Sequence, residues 1–186
     1  NYLDRATDFR MAQPTKEQDD KQTLETLRFM RGTDEWKLMY SDNWDPFTNA
    51  CYSLGVPWEA AQPGVHHSNA IIENTNLQVE YDIKVTLAAA GLPACFWTFA
   101  APYCTLVHNL KEDREDRTCP WTRKFNSEFK GELFPFGQGV HFLPAPTKYK
   151  NSKAAPSASY GIFLGYRLQP GSTWNGQYIV LDLDCL

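Results

Sequence analysis

Residues 37–47 read Lys-Leu-Met-Tyr-Ser-Asp-Asn-Trp-Asp-Pro-Phe, and this stretch decides the fold. Trp36–Tyr40 is a compact run of large side chains, which predicts a short strand ending at Ser41-Asp42-Asn43. Pro46 follows at once. Proline is tolerated in the first turn of a helix, so a helix is expected from Pro46 to Leu54, closed by Gly55. Val56–Ala60 reads as a further strand. Asp42 is thereby placed at the tip of a strand in a mixed α/β domain.

The pattern continues on both sides. Residues 1–12 alternate, with Tyr2, Leu3, Phe9 and Met11 as apolar members, and suit a hairpin. Thr15 and Gln18 form a capping box that predicts a helix through about Arg31, with Leu24, Leu27 and Met30 on its apolar face. A loop is expected at Pro63-Gly64. A long helix then runs from about Ser68 to Ala90, with Ile72, Val79, Ile83, Leu87 and Ala90 along one stripe. Asn69, Glu73, Asn76 and Glu80 share a different face, so Glu73 projects away from the core near the helix start. Phe96, Trp97, Ala100, Ala101, Cys104 and Val107 mark a second amphipathic helix ending near Asn109, with Phe96 and Trp97 expected in the core.

Residues 111–117 (KEDREDR) are a charge run and a solvated linker, and the composition shifts there towards Gly, Pro and aromatic residues. Strands are expected at 140–143, 160–166 and 177–183, forming a small β-barrel-like module. The organisation read from the chain is a core over 1–110, a linker over 111–130 and a β-module over 131–186.

The chain has 186 residues, 42% of them hydrophobic and 14% aromatic, enough for a real core. Its net charge of −4 argues against tight, stand-alone binding to nucleic acid, although a local basic strip remains compatible with it. Five widely spaced cysteines contain no C-x-x-C pair, which predicts free thiols in a reducing compartment rather than a zinc ribbon or disulfides. Residues 87–107 carry no charge, but Gly91-Leu92-Pro93 and Pro102 interrupt them, so two buried helices are expected and not a membrane span. No signal peptide is recognisable. The first residue is Asn, which reads as a fragment of a longer protein. There is neither a nucleophile elbow nor a glycine-rich phosphate loop.

Three acids carry the candidate chemistry. Asp4 lies in YLDRATDF, Asp42 in KLMYSDNWDPF and Glu73 in HHSNAIIENTN, with 37 and 30 residues between them. Two strand-end aspartates and one helical glutamate are hard oxygen donors of the kind that can clamp two Mg²⁺ ions during phosphoryl transfer. Spacing alone is weak grounds, because 22 acidic residues offer many such triples.

The surrounding motifs sharpen the reading. YLDRATDF, KLMYSDNWDPF and HHSNAIIENTN, then AGLPACFWTFAAPYCTLVHNL, TCPWTRKF, LFPFGQGVHFLP and YGIFLGY, together resemble the integrase of copia-type LTR retrotransposons. The resemblance spans nearly the whole chain in order. It implies an RNase H-like core, a five-stranded mixed sheet flanked by helices, followed by the β-module. It implies Asp4, Asp42 and Glu73 as catalytic metal ligands, two Mg²⁺ ions with Mn²⁺ as a substitute, and Asn69 as a DNA-positioning residue. DNA 3′-end processing and strand transfer would be the activity, within a polyprotein-derived homo-oligomer or larger complex. A nuclear or cytoplasmic-particle location would follow, with an organelle still open. Among the basic residues, Lys148, Lys150 and Lys153 are the better candidates for phosphate contact.

The same comparison supports a second reading. Trp44 stands where the family has glycine, Asn74 where it commonly has arginine, and no basic residue follows Glu73 until Lys84. These departures fit an inactive copy, or a non-catalytic, retroelement-derived subunit of a larger assembly such as an organellar or photosynthetic complex. His66-His67 are read as shaping the rim of the site, and His108 and His141 as structural.

Overall fold

The computed structural model describes residues 1–61, 66–114, 117–144 and 157–183. Strand β1 (Tyr2–Asp4) pairs antiparallel with β2 (Phe9–Met11), with Leu3 opposite Arg10. The connecting turn uses Asp8 in the left-handed region at φ 58°. Phe9 and Met11 are buried on one face, as the alternation requires.

Helix α1 (Asp20–Arg31) starts later than the Thr15 capping box suggested. Asp19 caps it, its carboxylate accepting from the Gln22 amide at 2.7 Å. A carboxylate there satisfies an orphan donor and also offsets the positive end of the helix, which a threonine hydroxyl cannot do. The helix ends at Gly32 (φ 55°), whose amide donates to the Arg28 carbonyl at 3.0 Å.

Strand β3 (Met39–Ser41), helix α2 (Asp45–Leu54) and strand β4 (Trp58–Ala60) form the expected βαβ unit. β3 and β4 are parallel, with Met39 opposite Trp58. Leu27 of α1, Met39, Ala50, Cys51 and Val56 close one core cluster around this unit.

Helix α3 (His66–Ala90) and helix α4 (Trp97–Leu110) follow the sequence reading closely. Val79 and Leu87 are buried. Trp97, expected in the core, is exposed, whereas Phe96 packs against Leu87 and Ala100. No helix among the described residues is long and apolar enough to cross a membrane. Cys51, Cys95, Cys104 and Cys119 are free thiols.

After the short helix α5 (Pro120–Phe125), strands β5 (Gly139–Phe142), β6 (Ser159–Leu168) and β7 (Trp174–Asp182) form one antiparallel sheet in the order β5-β6-β7. The architecture is thus mixed α/β, as expected, but two details differ. The described strands make an open three-stranded sheet and not a barrel, because α4 and the aromatic core cover β6, so the sheet need not curl onto itself to be buried. The four N-terminal strands form two separate pairs and not one five-stranded sheet, each strand being only three residues long.

Among the described residues, the largest core cluster joins both ends of the chain. Phe9, Met11 and Met30 meet Leu106, Trp121, Phe163 and Tyr166 in one aromatic-rich interior. Tyr166 and Tyr103 sew residues 132–136 onto it. The Tyr166 hydroxyl donates to the Glu132 carbonyl at 2.9 Å, and the Tyr103 hydroxyl to the Phe134 carbonyl at 3.1 Å. In return they accept from the amides of Phe134 and Phe136. Burial pushes both phenols above their ordinary pKa, which keeps them neutral donors. The LFPFG segment is held by these four hydrogen bonds.

Two further contacts lock distant segments together. The carboxamide of buried Asn109 on α4 accepts from the Arg10 amide and donates to the Arg10 carbonyl, both at 2.8 Å. The backbone of Gly171, in the turn between β6 and β7, sits directly on Gly32 at the end of α1.

Candidate functional site

Asp42 follows β3 and lies at the carboxyl end of a parallel strand pair, the position where open α/β sheets place ligands. The loop around it is shaped by its neighbours. Ser41 Oγ donates to the Asp42 carbonyl at 3.0 Å and accepts from Trp58 Nε1 at 2.9 Å, and the Trp44 amide donates to the Asp42 carbonyl at 2.9 Å. Trp44 then caps α2 without a side-chain hydrogen bond. Asp42 itself is exposed.

Glu73 lies two turns into α3 and is also exposed. The opposite face of the helix holds it in place: Thr75 and Val79 are buried, and Thr75 Oγ1 donates to the Ile71 carbonyl at 2.9 Å. Beyond Glu73 the exposed surface of α3 carries Leu77, Glu80 and Tyr81. The side chain of Asn69, and Lys148, Lys150 and Lys153, fall outside the described residues.

Asp4 occupies the end of β1, as expected, but its carboxylate is engaged within the hairpin turn. One oxygen accepts from the Ala6 amide at 3.0 Å and the other from the Thr7 hydroxyl at 2.6 Å, while Thr7 Oγ1 accepts from the Phe9 amide at 3.3 Å. This is an Asx-type turn of the kind that fixes hairpins. Just ahead of β1, Asn1 Nδ2 donates to Asn76 Oδ1 on α3 at 2.8 Å. Asp4, Asp42 and Glu73 offer the hard oxygens that Mg²⁺ takes. Yet among the described residues no three acidic, histidine or cysteine side chains converge to hold a metal ion.

His108 pairs with the hairpin turn, and this has a titration consequence. His108 Nε2 lies 3.1 Å from the Asp8 carboxylate, whose other oxygen is 3.6 Å from the Arg10 guanidinium. Burial and the Arg10 charge lower the His108 pKa, against the opposing pull of Asp8. The folded state therefore binds fewer protons than the unfolded one. The stability His108 contributes is complete above the unfolded pKa, about 6.5, and is lost as pH falls below it. Thermal melts between pH 8 and pH 5 are expected to show the midpoint dropping below about pH 6.5 in the wild type, with a shallower drop in His108→Gln. Equal pH profiles for the two proteins would remove His108 from this role.

No family model and no curated protein matches the chain. Its fold does match a solved structure. A chain of the cryo-EM structure of the simian T-cell lymphotropic virus intasome in complex with PP2A regulatory subunit B56 gamma superposes with a TM-score of 0.55. The match covers 97% of this chain and 68% of that one at 12% sequence identity, and at that identity it speaks for the fold alone.

Proposed function

We propose that the chain is the integrase-like domain of a copia-type retroelement, acting on DNA inside a multimeric complex. The observation that carries this reading is the fold shared with an intasome chain along nearly the full length, with Asp42 at a strand tip and Glu73 on the long helix. The activity proposed is Mg²⁺-dependent 3′-end processing and strand transfer, with Asp42 and Glu73 as its acids and Asp4 as the third candidate. Mg²⁺ or Mn²⁺, when bound, would supply charge neutralisation at the reacting phosphate.

A second reading, a non-catalytic subunit derived from the same kind of element, has specific support. The Asp4 carboxylate is engaged in a turn, and the exposed α3 surface next to Glu73 carries Leu77, Glu80 and Tyr81 with no cation before Lys84, where phosphate contact would call for cations. An assay of strand transfer on a short DNA duplex in Mg²⁺ and in Mn²⁺ separates the two. The enzymatic reading expects product from the wild type and a loss of at least about 10–100-fold in Asp42→Asn and in Glu73→Gln. Asp4→Asn, which keeps an acceptor for the Ala6 amide, divides the roles further. A matching loss assigns Asp4 to the metal, and near-normal activity assigns it to the turn. A folded wild-type chain, in its natural oligomer, that yields no product with either ion decides for the non-catalytic subunit.

A further inference from the structure

A cavity of about 470 Å³ opens between β2, α3 and α4, apart from Asp42 and Glu73. Its volume falls within the range of small-molecule sites. Arg10, His108 and Lys111 line it together with two partly exposed valines, Val85 and Val107. Asp82 of α3 also lines it.

The state of Arg10 sets the chemistry. Its side chain is only 16% exposed. Its Nε is buried and has no hydrogen-bond partner among the described residues. Its terminal nitrogen stands 3.6 Å from Asp8, too long for a hydrogen bond, and that carboxylate is already bonded to His108. That Nε is closed to solvent, which leaves the terminal guanidinium nitrogens, beside Asp8, as the donors a ligand can reach. The backbone of Arg10 is fixed by Asn109, so the side chain is anchored at its root and poised rather than floppy. Lys111 adds a second cation. Asp82 accepts from Gln78 at 2.9 Å and contributes a carboxylate to the lining. One cation-lined end, apolar walls and one acid suit a single carboxylate on an apolar body, whereas a dianion would be repelled by Asp82.

We infer that this cavity binds a small monocarboxylic acid, its carboxylate on Arg10 and Lys111 and its apolar body between Val85 and Val107. The site is independent of the proposed DNA chemistry, since it uses neither Asp42 nor Glu73. Charge-assisted bonds to guanidinium are about twice as strong as neutral ones, so charge should dominate the selectivity.

Titration of the whole chain with benzoate, benzamide and inorganic phosphate, followed calorimetrically and by thermal shift, tests this. Benzoate is expected to bind saturably and raise the melting temperature, with benzamide and phosphate each at least about tenfold weaker. Arg10→Gln should weaken benzoate by about tenfold or more. Val107→Trp, a change at an exposed rim position that fills the cavity, should abolish binding while the protein stays folded. Should Arg10→Gln not fold, Lys111→Gln replaces it, with an expected loss of a few-fold and a flatter salt dependence. Benzamide binding as well as benzoate, tighter binding of phosphate, no saturable benzoate binding, or full binding in Val107→Trp would each overturn the assignment. None of these results bears on strand transfer, so the two proposals fail separately.

Discussion

Gly32→Ala is expected to lower stability by roughly 2–6 kcal/mol, from backbone strain of about 1–3 and overpacking of about 1–3 kcal/mol. Gly32 ends α1 at φ 55° and ψ −120°, a region that L side chains rarely adopt. A Cβ there would stand 2.6 Å from the Gly171 nitrogen and 2.8 Å from both Gly171 Cα and the Pro170 carbonyl carbon. All three are backbone atoms and cannot rotate away. The C-terminal turn would have to lift off α1, so loss of order in residues 170–173 should accompany the loss of stability. Gly171→Ala is the control. At φ 74° it carries conformational strain, but its Cβ would lie 3.6 Å from Gly32, an ordinary contact. Urea melts of the two variants measure the difference, and equal losses would mean that the close approach of the two glycines contributes nothing.

Phe9→Ala should cost about 3–5 kcal/mol. Phe9 is fully buried at the meeting point of β2, α4 and α5. Its ring is edge-on to Phe125 at 5.6 Å and tilted against Trp121 at 6.3 Å. The Lys124 ammonium, largely buried and paired with Asp34, lies 5.2 Å from the ring centroid. Truncation would open a cavity beside a buried charge and also remove the cation–π contact, itself about 0.5–1 kcal/mol. Phe9→Leu keeps most of the volume and should cost under about 1.5 kcal/mol if repacking succeeds. Equilibrium unfolding by tryptophan fluorescence reads both variants. A loss below about 1 kcal/mol in Phe9→Ala would show that the core collapses around the gap.

Much of the chain could be read before it was seen folded. Helices α3 and α4 stood out because their buried stripes are regular, and the strand tip at Asp42 because large residues give way abruptly to Ser-Asp-Asn. The start of α1 was misplaced because two capping signals compete within five residues, and the carboxylate of Asp19 wins. Trp97 was assigned to the core because its spacing matches the stripe, but at the first turn of α4 it sits past the edge of the packed surface. The open sheet was mistaken for a barrel because the alternation in β6 says that a face is buried, not what buries it. Asp42 and Glu73 stand at the strand and helix positions expected of them. The engagement of Asp4 was visible only in the fold, since its partners Ala6 and Thr7 become donors only once the turn closes. The cavity had no local signal at all: Arg10, Asp82 and Lys111 are spread over about a hundred residues of sequence.

The Asn109 carboxamide has one more effect. By taking both the amide and the carbonyl of Arg10, it occupies the rung that β2 would otherwise offer to a strand from another molecule. The hairpin can therefore not be templated from that side. Fibril growth by strand addition, the hazard of any short exposed ladder, is blocked at this edge by a single side chain from a helix, without the charges or prolines that sheet edges commonly use.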